Sequence, residues 1–180
     1  MFASLKKKSD RRQVARCLYG SSVTQARSPV LYEAWGVPDN LQGRFEMIVL
    51  HLALVLRRLG SEGEEGRALG QSLTEAFVVD MDDNMRELTF GDLRVPKEIK
   101  RAAAALFDRH TAYHAALSTP HDASLADTLR GQLAYLISAS SLDAQALAEY
   151  VRECAETLGR MPATEVLSGR LGWPQHGERA

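Results

Sequence analysis

The chain has 180 residues, of which 45% are hydrophobic and 25% are charged, and its formal net charge at pH 7 is −1. This length is sufficient for one domain with a hydrophobic core. The near-neutral charge argues against a specific nucleic-acid ligand, which favours a strongly basic surface. Cys17 and Cys154 have neither a CxxC nor a zinc-ligand spacing, so they predict free thiols in a reducing compartment.

The N-terminal segment is basic. Lysines at positions 6–8 are followed by Arg11 and Arg12, and no apolar run follows them as it would in a secretory signal peptide. We therefore expect residues 1–9 to form a basic tail. Residues 1–12 are the segment with which the protein would contact an anionic membrane surface.

Helical spacing of apolar residues, together with the positions of Gly, Pro and capping residues, predicts helices and no strand. In chain order, the predicted elements cover residues 10–22 (extending at most to 27), a short turn at 31–35, and helices at 41–59, 64–88, 96–117, 124–137 and 143–158. About seven helices indicate an all-α fold, with one compact domain over residues 10–158. Residues 159–180 are rich in Gly and Pro and predict a flexible C-terminal tail.

The segment 41–59 is apolar on most sides. One seam alternates spacings of four and three residues and predicts the core face; it consists of Leu41, Phe45, Ile48, Leu52, Val55 and Leu59. A second apolar face carries Met47, Leu50 and Leu54. The uncharged run 47–56 rises only about 15 Å as a helix, too little to cross about 30 Å of hydrocarbon. The helix is therefore either central in its domain, or its second face lines an exposed groove for an apolar partner.

Two later helices carry titratable groups on apolar faces. Asp80 falls on the apolar face of helix 64–88, with Asp83 following, and His110 lies in the apolar stripe of helix 96–117. His110 and His114 have the i, i+4 spacing of a helical metal pair, so these four residues define a candidate metal-dependent enzyme.

The details argue against that enzyme. The sequence HTAYH lacks the glutamate of HExxH, and no ExxH pair occurs on the helices. Glycine-rich phosphate loops and a GxSxG nucleophile elbow are also missing. The structural alternative pairs Asp80 with an arginine or with His110. We therefore expect no metal, no cofactor and no catalytic residue.

Two long segments resemble the ubiquinol–cytochrome c chaperone family. They are LYGSSVTQARSPVLYEAWGVPDNLQGRFEMIVLHLALVLRRL and EAFVVDMDDNMRELTFGDLRVPKEIKRAAAALFDRHTAYHAAL. The order of GVPD, GRFEM with HL…RRL, DMD…RE and GD…VPK carries the resemblance. It covers residues 12–117 well, and the later helices fit it loosely.

The resemblance implies an all-helical assembly factor and not an enzyme. Mitochondrial members of the family bind newly made cytochrome b and assist the biogenesis of ubiquinol–cytochrome c reductase, with a small helper protein and the ribosome as further partners. Because the sequence has no mitochondrial transit peptide, it looks like a bacterial-type member. Such a member would act in the cytoplasm at the periphery of the inner membrane; a eukaryotic member would act on the matrix side.

A chaperone of this kind needs an apolar surface with a charged rim. On that expectation, the candidate partner-binding residues are Arg44, Met47, His51, Leu54, Arg58, Asp82, Asp83, Arg86, Asp92 and Lys97. A structural alternative remains for Asp82 and Asp92, which would then only form local pairs that hold the loop at 88–96. Asp80 is expected to be structural. A membrane-peripheral scaffold anchored by residues 1–12 is a further alternative.

Overall fold

A computed structural model describes residues 2–87, 95–119, 122–136 and 142–174, and only the backbone of residues 2–6, 87, 122 and 123 is described within these ranges. This part of the chain consists of eight α-helices and contains no strand. They are α1 (Phe2–Gln25), α2 (Pro29–Glu33), α3 (Leu41–Gly60), α4 (Gly63–Glu87), α5 (Val95–Leu117), α6 (Asp122–Leu133), α7 (Ala144–Arg160) and α8 (Ala163–Leu167). The predicted all-α single domain is confirmed.

The central element is α3. Its first turn is capped as the sequence predicts, since the Asn40 side chain accepts a hydrogen bond from the amide of Gly43 at 2.9 Å. The helices α1, α4, α5 and α7 all pack against it. As a result, the apolar residues on nearly every side of α3 are buried.

The helices α3 and α4 form an antiparallel pair. Only Ser61 and Glu62 separate them, and the rings of Phe45 and Phe77 lie 6.3 Å apart near the other end. The chain therefore returns along α4 to the end of the bundle at which α3 begins. Because α5 then runs in the same direction as α3, its C-terminal half lies beside the C-terminal half of α3.

The N-terminal segment differs from the prediction. Instead of a tail over residues 1–9, α1 begins at Phe2 and continues to Gln25. Ala15 and Leu18 are fully buried in the core, and the Tyr19 hydroxyl donates a hydrogen bond to Asp80 of α4 at 2.7 Å. One long helix thus connects the basic segment to the packed domain.

The predicted flexible tail is wrong for residues 159–174. Helix α8 follows α7 after a short turn, and Val166 is fully buried. Trp173 donates a hydrogen bond from Nε1 to Oγ of Ser21 at 3.0 Å, and its ring packs edge-on against His51. Contacts with residues far away in the sequence hold this segment, and residues 175–180 lie outside the described residues.

Candidate functional site

The second apolar face of α3 is not exposed, so the prediction of a groove on this helix is wrong. Met47 and Leu50 are 0% exposed and Leu54 is 2% exposed. The reason is that helices pack against α3 from several sides, which leaves this face no access to solvent. Met47 and Leu54 therefore belong to the core and are not available to a partner of the folded protein.

His51, also predicted to contact a partner, is fully buried. Its Nδ1 lies 2.7 Å from the carbonyl oxygen of Met47, and its Nε2 lies 2.6 Å from the Tyr150 hydroxyl. The Tyr150 oxygen in turn accepts a hydrogen bond from the Gln25 amide at 2.9 Å. Burial lowers the pKa of His51 to about 4, against the opposing effect of the Met47 carbonyl. His51 is thus a neutral core residue that donates through Nδ1.

The Arg58 side chain binds backbone carbonyl groups at the end of α7. Its Nε donates to the carbonyl oxygen of Leu158 at 2.8 Å and its Nη2 to that of Met161 at 3.0 Å. It also forms an ion pair with Glu62. The guanidinium group therefore satisfies carbonyls that the end of a helix leaves without intrahelical donors. This side chain is engaged within the fold and does not form a free charged rim.

A second group of predicted residues belongs to helix ends that the topology places at the same end of the bundle. The antiparallel arrangement of α3 and α4 brings the start of α3, the end of α4 and the start of α5 to this end. Four of its five residues are exposed and Asp82 is half-buried; the five are Arg44, Asp82, Asp83, Arg86 and Lys97. We call this group the charged end.

Local pairs occupy part of the charged end. Arg44 donates to Asp39 at 2.6 Å, and this interaction lowers the pKa of the Asp39 carboxyl group. Arg86 donates to Asp82, four residues before it, at 2.8 Å. Asp92 lies outside the described residues. The local alternative for Asp82 thus matches the geometry, although a paired surface charge can still contact a partner.

A buried ion pair that the sequence analysis missed joins α3 to α5. Glu46 is 1% exposed and receives hydrogen bonds from Nε and Nη2 of Arg109 at 3.1 and 2.8 Å. The Tyr135 hydroxyl donates to the same carboxylate at 2.7 Å. Burial and this hydrogen bond raise the pKa of Tyr135. A glutamate between Phe45 and Met47 in an apolar stretch was the signal that could have revealed it.

The carboxylates and histidines of the metal-enzyme alternative have other partners. Asp80 accepts hydrogen bonds from the Tyr19 hydroxyl at 2.7 Å and from Asn84 at 3.0 Å. Its predicted structural role matches this geometry, although neither an arginine nor His110 is the partner. Within the described ranges, no group of three or more His, Cys, Asp or Glu side chains is arranged to hold a metal ion.

An open cleft lies between the C-terminal halves of α3 and α5 and the end of α7. It has a volume of about 510 Å³, and its lining includes Leu56, Arg57, His110, His114 and Gly159. The rings of the two histidines are 6.1 Å apart, and His110 Nδ1 lies 3.2 Å from the carbonyl oxygen of Ala53. We call this the α3–α5 cleft.

The α3–α5 cleft is also lined by the Arg58–Glu62 ion pair, and it lies next to an exposed aromatic ring. Burial lowers the pKa of His110, and its electrostatic interactions with His114 and Arg57 lower it further. Phe107, one turn before His110 on the same face of α5, is 69% exposed. An exposed apolar side chain and the cationic side chain of Arg57 therefore lie on neighbouring parts of one surface.

No helix in the described part of the chain combines the length and the apolar character that a membrane crossing requires.

The fold and the α3–α5 cleft together define an all-helical, single-domain protein with an open surface that is partly apolar and partly cationic. A sequence model of the family described as "Ubiquinol-cytochrome C chaperone" matches residues 33–173. The chain therefore belongs to the ubiquinol–cytochrome c chaperone family, as the sequence motifs predicted. The match also includes the later helices, which the motifs covered only loosely.

The whole fold has a counterpart among solved structures. The crystal structure of the Cbp3 homolog from Brucella abortus is similar with a TM-score of 0.82 and 30% sequence identity, and the similarity covers 97% of each chain. No curated protein matched the sequence.

Proposed function

We propose that the protein is an assembly chaperone that binds newly made cytochrome b and assists the biogenesis of ubiquinol–cytochrome c reductase. The observation that carries the proposal is the family match over residues 33–173, which includes most of the helical domain. The similarity to the Cbp3 homolog over 97% of both chains supports the same assignment.

A chaperone holds its client by reversible noncovalent contacts, so its surface needs apolar area and orienting charges and no catalytic group. Because the second face of α3 is buried, we propose that the apolar contact with the client lies on the exposed face of α5 around Phe107. The charged end supplies polar contacts, and Asp92 would extend it.

We further propose that the protein works at the periphery of the inner membrane, in the cytoplasm of a bacterium or on the matrix side of a mitochondrion. Lys7, Lys8 and Arg12 are exposed on α1 and supply positive charge for an anionic membrane surface. A ribosome contact or a small helper protein would bring the chaperone to the client during synthesis.

Deletion of the gene tests the main proposal. We expect newly made cytochrome b to be degraded faster in pulse-labelled cells and the reductase complex to decrease, while another respiratory complex keeps its level. Full-length protein should also co-purify with cytochrome b. Normal cytochrome b and reductase levels in the deletion strain would refute the proposed function.

A further inference from the structure

Arg57 is a cation without an acidic partner. Its Nε is buried and makes no hydrogen bond, and no carboxylate among the described residues pairs with its guanidinium group. Arg58, its neighbour in sequence, has Glu62 as a partner. Because a partly buried charge without a partner is unfavourable, Arg57 is poised to gain from an anion that enters the α3–α5 cleft.

The carbonyl oxygens at the end of α7 are already bound by another arginine. Arg58 already binds the carbonyl oxygens of Leu158 and Met161 at the end of α7. These carbonyls therefore do not neutralise Arg57. His110 donates Nδ1–H to the carbonyl oxygen of Ala53, so its Nε2 is left as an acceptor and the hydrogen bond to an anion has to come from Arg57.

Phe107 indicates that the anion is part of a polypeptide. It shares one face of α5 with His110 and His114, at spacings of three and seven residues, and its side chain is 69% exposed. Aromatic side chains and arginine are enriched among residues that dominate protein–protein binding. A free phosphate would use the cations and leave Phe107 uncovered, whereas a polypeptide segment would cover both.

We propose that the α3–α5 cleft binds a carboxylate side chain of the client polypeptide at Arg57, while a neighbouring apolar side chain of the same segment packs on Phe107. This inference rests on the proposed function and names the contact surface and the chemistry of the client segment. Arg57 supplies a charge-assisted hydrogen bond, and Phe107 supplies apolar contact area.

The test measures capture of cytochrome b, made by cell-free translation, on full-length protein that carries Arg57→Gln. We expect capture to fall about tenfold, the effect of losing one charged hydrogen bond. Arg67→Gln is the matched control, because Arg67 is an exposed arginine of α4 that does not line the cleft and the charge change is the same. Arg57→Lys should retain most of the capture because it keeps the charge.

Two further readouts separate binding from folding. Capture by the wild type should weaken as salt increases, and the slope should be smaller for Arg57→Gln, since screening acts on the lost interaction. A photoreactive side chain at position 107 should crosslink to cytochrome b, whereas one at Val79, which is 60% exposed on α4, should not.

The outcomes distinguish a failure of the cleft inference from a failure of the proposed function. If the wild type and Arg57→Gln capture cytochrome b equally, or if position 79 crosslinks as well as position 107, the cleft inference is overturned and the proposed function stands. If the wild type captures no cytochrome b, the proposed function fails and the cleft inference fails with it.

Discussion

The hydroxyl oxygen of Tyr150 lies 2.6 Å from Nε2 of His51, and this hydrogen bond joins α7 to α3 inside the core. The same oxygen accepts a hydrogen bond from Gln25 of α1. Three helices that are distant in sequence therefore meet at one buried polar group.

A Tyr150→Phe substitution should lower the free energy of unfolding by about 1–3 kcal/mol, because it removes the hydrogen-bond partner of the buried His51 Nε2. Urea unfolding followed by far-UV circular dichroism measures the loss. Tyr32→Phe is the control, since the Tyr32 hydroxyl bonds the Ala26 carbonyl from a half-buried position, where water can replace it. A loss at Tyr150 no larger than that at Tyr32 would contradict the role of this contact.

The lowered pKa of His51 predicts that the protein loses stability in mild acid. In the unfolded chain His51 binds a proton near its ordinary pKa of about 6.5, whereas burial lowers its pKa in the folded protein to about 4. Between these values the unfolded state binds more protons. The free energy of unfolding therefore decreases as the pH falls through this window, by about 3 kcal/mol in total.

The variant His51→Gln isolates this contribution, because it removes the titrating group. We expect it to be less stable than the wild type at pH 7 but to have a flatter pH dependence between pH 6.5 and 4. Tyr150→Phe also disturbs the core yet retains the imidazole, so it should keep a steep dependence. His110, whose pKa burial also lowers, remains in both variants. An identical slope in wild type and His51→Gln would rule out this assignment.

Removing one partner of the buried ion pair should be costly. Arg109→Met leaves the Glu46 carboxylate in the core without its cation, and such changes destabilise by about 3–5 kcal/mol. Replacing both partners, as Glu46→Leu with Arg109→Met, should cost less than the single change, because no buried charge is then left. Chemical denaturation of both single variants and the double variant measures the coupling.

The surface pair Arg101–Glu98 provides the comparison. Arg101 lies on the same helix as Arg109, but its side chain is 63% exposed, so Arg101→Met should cost less than about 1 kcal/mol. A double variant at Glu46 and Arg109 that is as unstable as Arg109→Met alone would show that the lost packing, and not the uncompensated charge, causes the effect.

The C-terminal segment should resist proteolysis in the native protein. Trypsin is expected to cleave slowly after Arg160, because Trp173 and Val166 hold the following residues on the domain. Trp173→Ala should accelerate this cleavage several-fold, and Val79→Ala, at an exposed position of α4, should leave it unchanged. Rapid cleavage of the wild type at Arg160 would restore the original prediction of a flexible tail.

The sequence was sufficient to predict the structure where local signals determine it. Asn40 and Gly60 mark the ends of α3 to within one residue, because a side-chain cap and a terminal glycine act over a single turn. Periodicity placed Leu52, Val55 and Leu59 correctly in the core, but Leu41, at the start of the same seam, is 62% exposed. Periodicity does not show how many helices pack around α3. A second apolar face that is buried and one that lines an exposed groove therefore have the same sequence pattern.

Contacts between distant residues set what the sequence did not predict. Trp173 meets Ser21 across 152 positions, and Arg109 meets Glu46 across 63. No short sequence pattern specifies such pairs. The end of the chain was therefore predicted to be a flexible tail, and the ion pair of Glu46 was not predicted. Arg57 lines the α3–α5 cleft together with the two histidines. From the sequence, these histidines were considered only as a metal-binding pair.

Two glycines in helices should respond in opposite ways to the same substitution. A Cβ atom at Gly43 would fall well inside contact distance of the Pro38 carbonyl oxygen, part of the backbone just before α3, whereas a Cβ at Gly20 of α1 would meet nothing within 4 Å. Gly43→Ala must therefore displace the turn, and we expect a loss of about 1–3 kcal/mol, the usual range for overpacking. Gly20→Ala should gain about 0.5–1 kcal/mol, because alanine loses less backbone entropy in a helix. Thermal unfolding of both variants measures the difference. Equal effects at the two positions would mean that Pro38 does not approach α3 as closely as described.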